Sequence, residues 1–470
     1  MLNPNIFRAY DIRGIAHEPV STANPDLTPE TMELIGKAAG TYYKRNYGTK
    51  LVLSRDCRLS NPELSDAFIK GALSTGCDVT QIGMVPTPMM YWAVCRHEFD
   101  GGIGITASHN PKEYNGVKLV RANADSICGD ELQEVYKLAA NKDFESGEGE
   151  LHEIDIYDEY QEHLLNLVHL EKPLKVVIDA GNGAAGPYVR PFFEALGCDV
   201  IALYEEPDGR FPNHPANPEE HENMLDLIDA VQDHNADIGI AFDGDSDRVG
   251  VVDENGKHYT ADWLLLLMAR DLLERKPGAK VIFDVKVSQL LINDIKKNGG
   301  EPVMHKTGCA FIKSEMKKIG ASLGGEISGH MLIAEDYYGF DDAFLAAAKI
   351  LEILSKSDKS FSEHFEDLDE SACTPELKTP CPDDVKFGIV EQVTANFVND
   401  YDCIIIDGVR VNFDENSWAA VRCSNTSPNL TIRFEAPTSD RLEEIMDIMI
   451  LELNKYPEID LWWEDKKGLL

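Results

Sequence analysis

The feature of this 470-residue chain that most constrains its fold is a pattern that occurs three times in the same order. Each unit starts with a short apolar strand, continues through an amphipathic helical stretch to a glycine-led strand, and ends with a glycine-containing strand and a polar loop. The three first strands begin at Lys50, Lys175 and Lys280. Strands that alternate with helices predict βαβ units on a mainly parallel sheet. The chain is therefore predicted to contain three similar mixed α/β domains.

The three units end in loops with different chemistry. The loops are Gly-Ile-Thr-Ala-Ser-His at 104–109, Gly-Ile-Ala-Phe-Asp-Gly-Asp at 239–245 and Gly-Gly-Glu-Ile-Ser-Gly-His at 324–330. Ligands of open α/β sheets bind beyond the carboxyl ends of the strands. We therefore expect the three loops to face one shared cleft.

The pattern changes after about Asp367. Prolines at 375, 380 and 382 predict a linker or an irregular entry into the last region. Short strands at 409–413, 417–422 and 430–436, followed by helical spacing at 441–454, predict a smaller α+β domain. The predicted domains are residues 1–153, 154–257, 258–368 and 369–470.

The net charge of −38 disfavours nucleic acid and anionic membranes as partners. A phosphorylated substrate would need basic residues converging on its site, and the surface charge itself is typical of solubility or salt adaptation. The ten cysteines include no Cys-x-x-Cys pair, which favours reduced thiols in a cytoplasmic protein. No secretory signal is visible, and the longest apolar run, near 263–268, is too short to span a bilayer.

Three aspartates, Asp243, Asp245 and Asp247, follow the predicted strand at 237–242 at alternate positions. Carboxylates at this spacing can face one side of a loop and bind one divalent cation, with Mg²⁺ favoured if phosphate oxygens complete the shell. An EF-hand is disfavoured, because its sixth position requires glycine where this chain has Arg248, and because the flanks read as strands. An acidic surface turn is the remaining alternative.

Ser108 stands where the first unit passes from strand to loop. The neighbouring His109 need not face it, so adjacency does not establish a Ser–His dyad, and no Gly-x-Ser-x-Gly elbow surrounds it. Taken locally, a turn-capping serine is the better reading. If a hard cation and basic groups lie nearby, a role for Ser108 as a phosphoryl carrier becomes the better interpretation. Lys118 is one candidate for such a basic group.

The segment Glu326-Ile-Ser328-Gly-His330 offers a carboxylate, a hydroxyl and an imidazole within five residues. The first two suit sugar hydroxyls and the imidazole suits proton transfer near neutral pH. A structural loop histidine is the alternative.

The segment Arg-Cys-Ser-Asn-Thr-Ser-Pro at 422–428 places several hydroxyl and amide donors behind an arginine, and Arg433 follows one strand later. A planar guanidinium with hydroxyl donors makes a good phosphate clamp, although a polar turn explains the same residues. No Walker-type loop is present, so binding of a nucleoside triphosphate is not implied.

These motifs, in this order, resemble the α-D-phosphohexomutase family, and most closely its phosphomannomutase/phosphoglucomutase branch. The similarity runs from Phe7 to about Ala436, with the helix to Asn454 also in keeping. The resemblance implies a heart-shaped protein of three α/β domains and a smaller cap around a central cleft. It implies reversible interconversion of hexose 1-phosphate and hexose 6-phosphate through a phosphoserine enzyme, with a hexose 1,6-bisphosphate as intermediate and activator.

The resemblance also implies roles for individual residues. Catalysis would involve Ser108 as the phosphoserine, Lys118, His330 and Arg13. Mg²⁺ would be held by phosphorylated Ser108, Asp243, Asp245 and Asp247, with Arg248 contacting the phosphoserine. The substrate would be bound by Tyr10, His109, Lys286, Glu326, Ser328, Arg422, Ser424, Asn425, Thr426 and Arg433.

Two positions depart from the family pattern. Cys309 stands where many relatives have histidine, so one imidazole contact to the substrate is expected to be missing. Ile327 stands where close relatives often have methionine, which should change little. The Glu-Ile-Ser-Gly-His loop favours mannose and glucose phosphates. A phosphoglucosamine mutase, a sugar phosphatase that uses Ser108, and a non-catalytic binding protein remain alternatives, as do a monomer and a dimer.

Overall fold

The computed structural model describes residues 2–16, 24–424 and 427–464. Its strands form four sheets, which follow one another along the chain. The first three are mixed sheets with helices packed against them, and the fourth is antiparallel with two helices. The predicted fold class is confirmed by this arrangement.

The first domain has the largest sheet. Its strands are β1 (Ile12–Ile15), β2 (Lys50–Arg55), β3 (Asp78–Met84), β4 (Gly101–Ile105), β5 (Tyr114–Arg121), β6 (Asp125–Ser126) and β7 (Leu151–Glu153), and its helices are α1 (Pro29–Asn46), α2 (Asn61–Leu73), α3 (Thr87–Arg96) and α4 (Asp130–Asn141). The strand order is β1-β5-β4-β2-β3-β7, with β6 beside β5.

The second domain has a five-stranded sheet in the order β12-β11-β10-β8-β9. Its elements are α5 (Tyr157–Leu167), β8 (Lys175–Asp179), α6 (Gly186–Leu196), β9 (Asp199–Leu203), α7 (Leu225–His234), β10 (Ile238–Phe242), β11 (Val249–Asp253) and β12 (His258–Tyr259). Because β12 pairs with β11, this sheet extends two residues past the predicted boundary at 257.

The third domain has a four-stranded sheet in the order β14-β13-β15-β16. Its elements are α8 (Ala261–Arg275), β13 (Lys280–Asp284), α9 (Gln289–Lys297), β14 (Glu301–His305), α10 (Cys309–Ile319), β15 (Leu323–Gly325), β16 (Met331–Ile333) and α11 (Ala343–Ser355).

The three sheets share one topology, which accounts for the repeat in the sequence. In each unit the first strand lies between the other two and runs parallel to both: β2 with β3 and β4, β8 with β9 and β10, β13 with β14 and β15. The strand after each polar loop, namely β5, β11 or β16, returns antiparallel to the strand before it. Each polar loop thus joins an antiparallel pair at the carboxyl end of its third strand.

The loop that follows β10 rests on an aromatic core shared by the second and third domains. Every residue of β10 is buried, as expected for a strand covered on both faces. Its last residue, Phe242, stacks on Phe344 with ring centroids 5.0 Å apart, and Phe344 also stacks on Phe193. This packing holds the start of the aspartate loop in place.

The fourth domain is smaller. Its elements are β17 (Ala372–Cys373), β18 (Leu377–Pro380), α12 (Lys386–Phe397), β19 (Asp402–Ile404), β20 (Val409–Asn412), β21 (Trp418–Cys423), β22 (Asn429–Ala436) and α13 (Ser439–Leu453). The linker predicted near 372–382 is wrong in part, because β17 and β18 both pair with β22. Prolines are compatible with such short edge strands. In the part of the chain that the structure describes, no helix combines the length and apolarity needed to cross a membrane.

Candidate active site

A cleft of about 890 Å³ lies where the four domains meet. Residues from all four domains line it, and the predicted site residues among them are Tyr10, Arg13, Ser108, His109, Lys118, Asp247, Arg248, Lys286, Glu326, Ser328, His330, Arg422 and Ser424. Asp243 and Asp245 are fully buried below this surface. Lysine and arginine side chains from all four domains line the cleft together with carboxylates, so the site offers paired cations that an anionic ligand could contact in a protein of strongly negative net charge.

Ser108 lies at the floor of the cleft and is bonded to the aspartate loop. Its Oγ donates a hydrogen bond of 2.6 Å to Asp243 Oδ2 and lies 3.2 Å from His109 Nδ1. The histidine therefore does face the serine, which adjacency alone did not establish. Burial, followed by the charges of Arg248 and Arg13, lowers the pKa of His109 well below its usual value, so its ring is neutral.

The serine loop is held by a buried arginine that no sequence motif indicated. The Arg58 guanidinium donates to the carbonyl oxygens of Ser108, Asn110, Pro111 and Tyr114 at 2.6–2.9 Å. Asp56 pairs with the same guanidinium through Nε at 3.1 Å. Ser108 itself has a φ of +51°, a left-handed conformation that is uncommon for a residue with a side chain. Arg58 thus stabilises a loop conformation that the local backbone alone disfavours.

The three aspartates form a compact carboxylate cluster. One oxygen from each of Asp243, Asp245 and Asp247 lies within 4.8 Å of the others. Within the described residues, Asp245 Oδ1 is buried and has no hydrogen-bond partner, and the buried Asp247 Oδ1 has only the His330 ring at 3.4 Å. A buried carboxylate oxygen without a partner is costly unless a cation meets it, so the cluster fits a hard divalent metal ion. Because β10 and β11 flank the loop, an EF-hand is excluded.

Two neighbours fix the aspartate loop. Thr87, at the start of α3, donates through its hydroxyl to Asp245 Oδ2 at 2.6 Å and through its N–H to the Asp245 carbonyl at 2.8 Å. Gly244 lies so close to the serine loop that a Cβ there would be 2.6 Å from the Ser108 carbonyl oxygen. The first two domains therefore position the serine and the carboxylates as one unit.

Lys118 balances part of this negative charge. Its Nζ lies 2.6 Å from Asp245 Oδ2 and also contacts Asp247. Burial opposes protonation of Lys118, but the two carboxylates outweigh it and raise its pKa well above the usual value. Burial also raises the pKa of Asp243 to about 8, with Asp247 and Asp245 adding to the shift.

Binding of Mg²⁺ is expected to release close to one proton per ion at about pH 6 and almost none at about pH 9. The reason is that Asp243, with its pKa near 8 in the metal-free protein, is protonated at the lower pH and must ionise to bind metal. The affinity should rise by about tenfold per pH unit below pH 8. Isothermal titration calorimetry in two buffers of different ionisation enthalpy counts the protons. Asp243→Asn should remove the pH dependence, and a proton count near zero at the lower pH would contradict the prediction.

The sugar-binding loop predicted at 326–330 meets the metal loop. His330 Nδ1 lies 3.1 Å from both Glu326 Oε2 and Ser328 Oγ, and Nε2 lies 3.4 Å from Asp247 Oδ1. Burial and Arg248 oppose protonation of this ring, but Asp247 and Glu326 outweigh them and raise its pKa to about 9. His330 is therefore protonated near neutral pH and can donate a proton toward the cleft.

The fourth domain brings Arg422 and Ser424, which were predicted to bind phosphate, to the cleft. Arg422 lies on β21 and is bonded through Nε to Asp407 Oδ2 at 2.6 Å, and Ser424 Oγ lies 2.8 Å from Ser427 Oγ. The predictions for Asn425 and Thr426 concern residues outside the described part of the chain. Ser427, which was not assigned to the site, also lines the cleft.

The structure corrects the role predicted for Arg433. Its side chain is 1% exposed and does not line the cleft. The guanidinium donates to the carbonyl oxygens of Thr374 and Lys286 and pairs with Asp262 at 3.3 Å. Arg433 therefore joins the third and fourth domains. Arg433 pairs with Ala420, two residues before Arg422 on β21, so the two arginines lie on the same face of the sheet, but the guanidinium of Arg433 is held by its partners between the domains.

Three acidic residues that pair with basic residues of the cleft were missed by sequence reasoning. Glu376 contacts Lys286, Asp407 pairs with Arg422, and Glu219 lies 3.6 Å from Arg248. Each carboxylate holds a cation that a bound phosphate would also contact. Single acidic residues in loops carry no motif, so only the structure identifies them.

Ser108 shares its cleft with three buried carboxylates and with cations from all four domains, an arrangement that could stabilise a phosphoryl group during transfer. Models of one protein family match all four regions of the chain. Phosphoglucomutase/phosphomannomutase alpha/beta/alpha domains I, II and III match residues 4–146, 158–256 and 260–371, and the C-terminal domain matches 376–452.

Individual relatives agree with the family models. The chain is 42% identical over 463 residues to a phosphomannomutase/phosphoglucomutase of Pseudomonas syringae, with 98% of each chain covered. It is 41% identical to a phosphoglucomutase of Neisseria meningitidis, with 97% of this chain and 98% of the relative covered. A crystal structure of a phosphoglucomutase/phosphomannomutase family protein from Burkholderia thailandensis superposes with a TM-score of 0.89 at 37% identity, covering 97% and 98% of the two chains. The chain belongs to the phosphoglucomutase/phosphomannomutase family.

Proposed function

We propose that this enzyme interconverts the 1-phosphate and 6-phosphate of mannose or glucose through phosphorylated Ser108. The observation that carries the proposal is the 2.6 Å hydrogen bond from Ser108 Oγ to Asp243, which places the hydroxyl at the carboxylate cluster on the cleft floor. The relatives named for mannose and glucose phosphates support this substrate class.

The proposed reaction consists of two phosphoryl transfers. In the first, the bond between phosphorus and Ser108 Oγ breaks as a bond forms from phosphorus to the free hydroxyl oxygen of the hexose monophosphate. That hydroxyl loses its proton, and Ser108 Oγ takes up a proton as it leaves, so the transfer is proton-neutral. The resulting hexose 1,6-bisphosphate reverses its orientation in the cleft, and its other phosphoryl group is then transferred to Ser108. We propose that hexose 1,6-bisphosphate also primes the unphosphorylated enzyme.

The residues around Ser108 fit these steps. Asp243, Asp245 and Asp247 would hold Mg²⁺, which neutralises charge on the transferred phosphoryl group. Arg248 and Arg13 add positive charge at the same end of the cleft. Lys118 and His330 are both protonated near neutral pH, which suits them to proton donation and charge stabilisation.

The other end of the cleft would hold the phosphate that does not react. Arg422, Ser424 and Lys286 present a guanidinium, a hydroxyl and an ammonium there. Glu326 and Ser328 lie between the two ends and would bind sugar hydroxyls. One set of contacts must accept either phosphate of the intermediate, and charge-assisted bonds to non-bridging oxygens allow this. The cytoplasmic location expected from the cysteines stays a prediction.

Intact-protein mass spectrometry before and after incubation with glucose 1,6-bisphosphate tests the phosphoserine. We expect a gain of one phosphoryl group that peptide mapping assigns to Ser108. Phosphate found on another residue would overturn the proposal.

Coupled assays with mannose, glucose and glucosamine 1-phosphates test the substrate class. Turnover of the amino sugar alone would instead indicate a phosphoglucosamine mutase. Release of stoichiometric free phosphate without isomerised sugar would indicate a phosphatase.

Arg58→Lys is expected to lower kcat by about 100-fold with little change in KM, since a shift of about 1 Å in a reacting group has effects of this size. Lysine can replace only some of the bonds that the guanidinium makes to the serine loop. Steady-state kinetics and the Tm measure the two effects. Arg55→Lys is the matched control, because Arg55 is three residues away and makes one long bond of 3.5 Å to a carbonyl. A kcat within threefold of the wild type would show that Arg58 does not position Ser108.

A further inference from the structure

A second cluster of potential metal ligands lies on the wall of the same cleft, next to the aspartate loop, which it touches through His330 and Asp247. It consists of Cys309 at the start of α10, His330 in the loop before β16, and Asp341 shortly before α11. One ligand atom from each residue lies within 4.8 Å of the other two. All three residues line the cleft, so the cluster is open to an ion from solution.

The Asp341 side chain has the placement expected of a ligand. The residue is 2% exposed, and in the described part of the chain its Oδ1 is buried without a hydrogen-bond partner. Within the described residues, this oxygen forms a long ion pair of 3.8 Å with Lys313 Nζ, which also lies over the ring of Tyr91. A buried carboxylate oxygen with only one distant ion pair is costly, and a bound metal ion would satisfy it.

His330 is oriented as a metal-binding histidine usually is. Its Nδ1 faces Glu326 Oε2 at 3.1 Å, so Nε2, which lies 3.4 Å from Asp247 Oδ1 in the metal-free protein, is the nitrogen that an ion would take. A metal-bound imidazole commonly donates its other ring N–H to a carboxylate, and this contact fixes the ring and strengthens the ligand. The sugar-binding loop therefore supplies both the ligand and its supporting carboxylate.

The chemistry of this ligand set differs from that of the aspartate cluster. Three carboxylates favour Mg²⁺, whereas a thiolate, an imidazole and a carboxylate favour Zn²⁺ or a similar borderline cation. Bond lengths of about 2.0–2.3 Å place tetrahedral ligands about 3.5 Å apart, a separation that the three atoms, all within 4.8 Å of one another, can reach by small side-chain movements. Three protein ligands leave the fourth position open to the cleft.

We propose that Cys309, His330 and Asp341 form a second metal site that binds Zn²⁺ and thereby inhibits the enzyme. Zinc binding replaces the S–H proton of Cys309 and any proton on His330 Nε2 by metal bonds, and both protons pass to solvent. Coordination of the ion moves the His330 ring away from Asp247. The ion itself lies at the cleft wall next to Glu326 and Ser328. The inhibition rests on the proposed function, whereas metal binding does not.

Co²⁺ is the probe for binding, because a thiolate ligand gives an intense near-ultraviolet charge-transfer band that carboxylate ligands cannot produce. The full-length enzyme, stripped of metal and then saturated with Mg²⁺, should develop this band on titration with Co²⁺ and saturate at one equivalent. Zn²⁺ should abolish the band by displacement. A wild-type enzyme without the band would overturn the proposal, whatever its mutase activity.

Single substitutions test which residues bind the Co²⁺ ion. Cys309→Ser should lose the band entirely, and Asp341→Asn should weaken Co²⁺ binding by at least about tenfold, an effect typical of a lost ligand or supporting group. Cys403→Ser is the matched control, because Cys403 is also a partly buried free thiol but lies on β19. A band that survives in Cys309→Ser or disappears in Cys403→Ser would show adventitious thiol binding and overturn the assignment.

Enzyme kinetics test the consequence separately. Zn²⁺ should inhibit wild-type mutase turnover in the presence of saturating Mg²⁺, and the residual activity of Cys309→Ser should be at least about tenfold less sensitive. Equal sensitivity of the two proteins would place inhibitory zinc at the aspartate cluster and overturn the inhibitory role, while the Co²⁺ band still reports on the site itself.

Discussion

Ser108→Ala is expected to lower mutase kcat by about 10⁴-fold or more, in line with the loss of other serine nucleophiles. In the described residues, Ser108 provides the hydroxyl that is bonded to the Asp243 carboxylate at 2.6 Å. Water cannot replace a covalent carrier that must give one phosphoryl group to the sugar and then accept the other one from it. The coupled assay with mannose and glucose 1-phosphates measures the loss.

The variant must be separated from one that is simply misfolded. Alanine at this position keeps the left-handed backbone and loses one hydrogen bond, so a small decrease in Tm is expected. Binding of hexose 6-phosphate, measured by calorimetry, should change by less than about tenfold, because the clamp lies on the fourth domain. Ser74→Ala at the end of α2 is the control for a serine far from the cleft. Mutase activity within tenfold of the wild type in Ser108→Ala would rule out the phosphoserine mechanism.

The architecture could be predicted from the sequence because each strand and helix that builds it is encoded by one short, contiguous segment. The strands starting at Lys50, Lys175 and Lys280 are apolar segments bounded by polar and glycine residues, and each became the central strand of its unit. The segment with Pro375 and Pro380 was harder to interpret, because proline marks irregular backbone and edge strands alike. Whether Leu377–Pro380 pairs with β22 depends on a partner fifty residues away.

The loops of the site were also predictable, since each one is a contiguous motif after a strand. Their meeting in one cleft depends on contacts across domains, such as Ser108 with Asp243 and Thr87 with Asp245. Arg58 and Asp407 act through bonds to residues distant in the sequence, so nothing in their own sequence neighbourhood indicates a role. Arg433 was assigned to substrate binding because it lies near the predicted phosphate motif. In the structure it instead donates to carbonyl groups between two domains.

The aspartate cluster gives the second large effect. Asp243→Asn is expected to lower kcat by about 10³-fold, because the amide removes one anionic ligand of Mg²⁺ and leaves an acceptor of lower charge for the Ser108 hydroxyl. The loss corresponds to about 4 kcal/mol of transition-state stabilisation. Raising the concentration of Mg²⁺ should not restore turnover, because the defect lies in charge stabilisation of the transferred phosphoryl group as well as in metal affinity.

Asp237→Asn is the matched control for Asp243→Asn, since it removes a carboxylate from the opposite end of the same strand, where Asp237 accepts a bond from the Lys175 N–H. This control should keep wild-type kcat and the wild-type dependence on Mg²⁺. Phosphorylation by glucose 1,6-bisphosphate should be slowed in Asp243→Asn and unaffected in Asp237→Asn. An Asp243→Asn enzyme whose kcat stays within tenfold of the wild type at equal Mg²⁺ would show that the three carboxylates do not hold the metal ion that supports phosphoryl transfer.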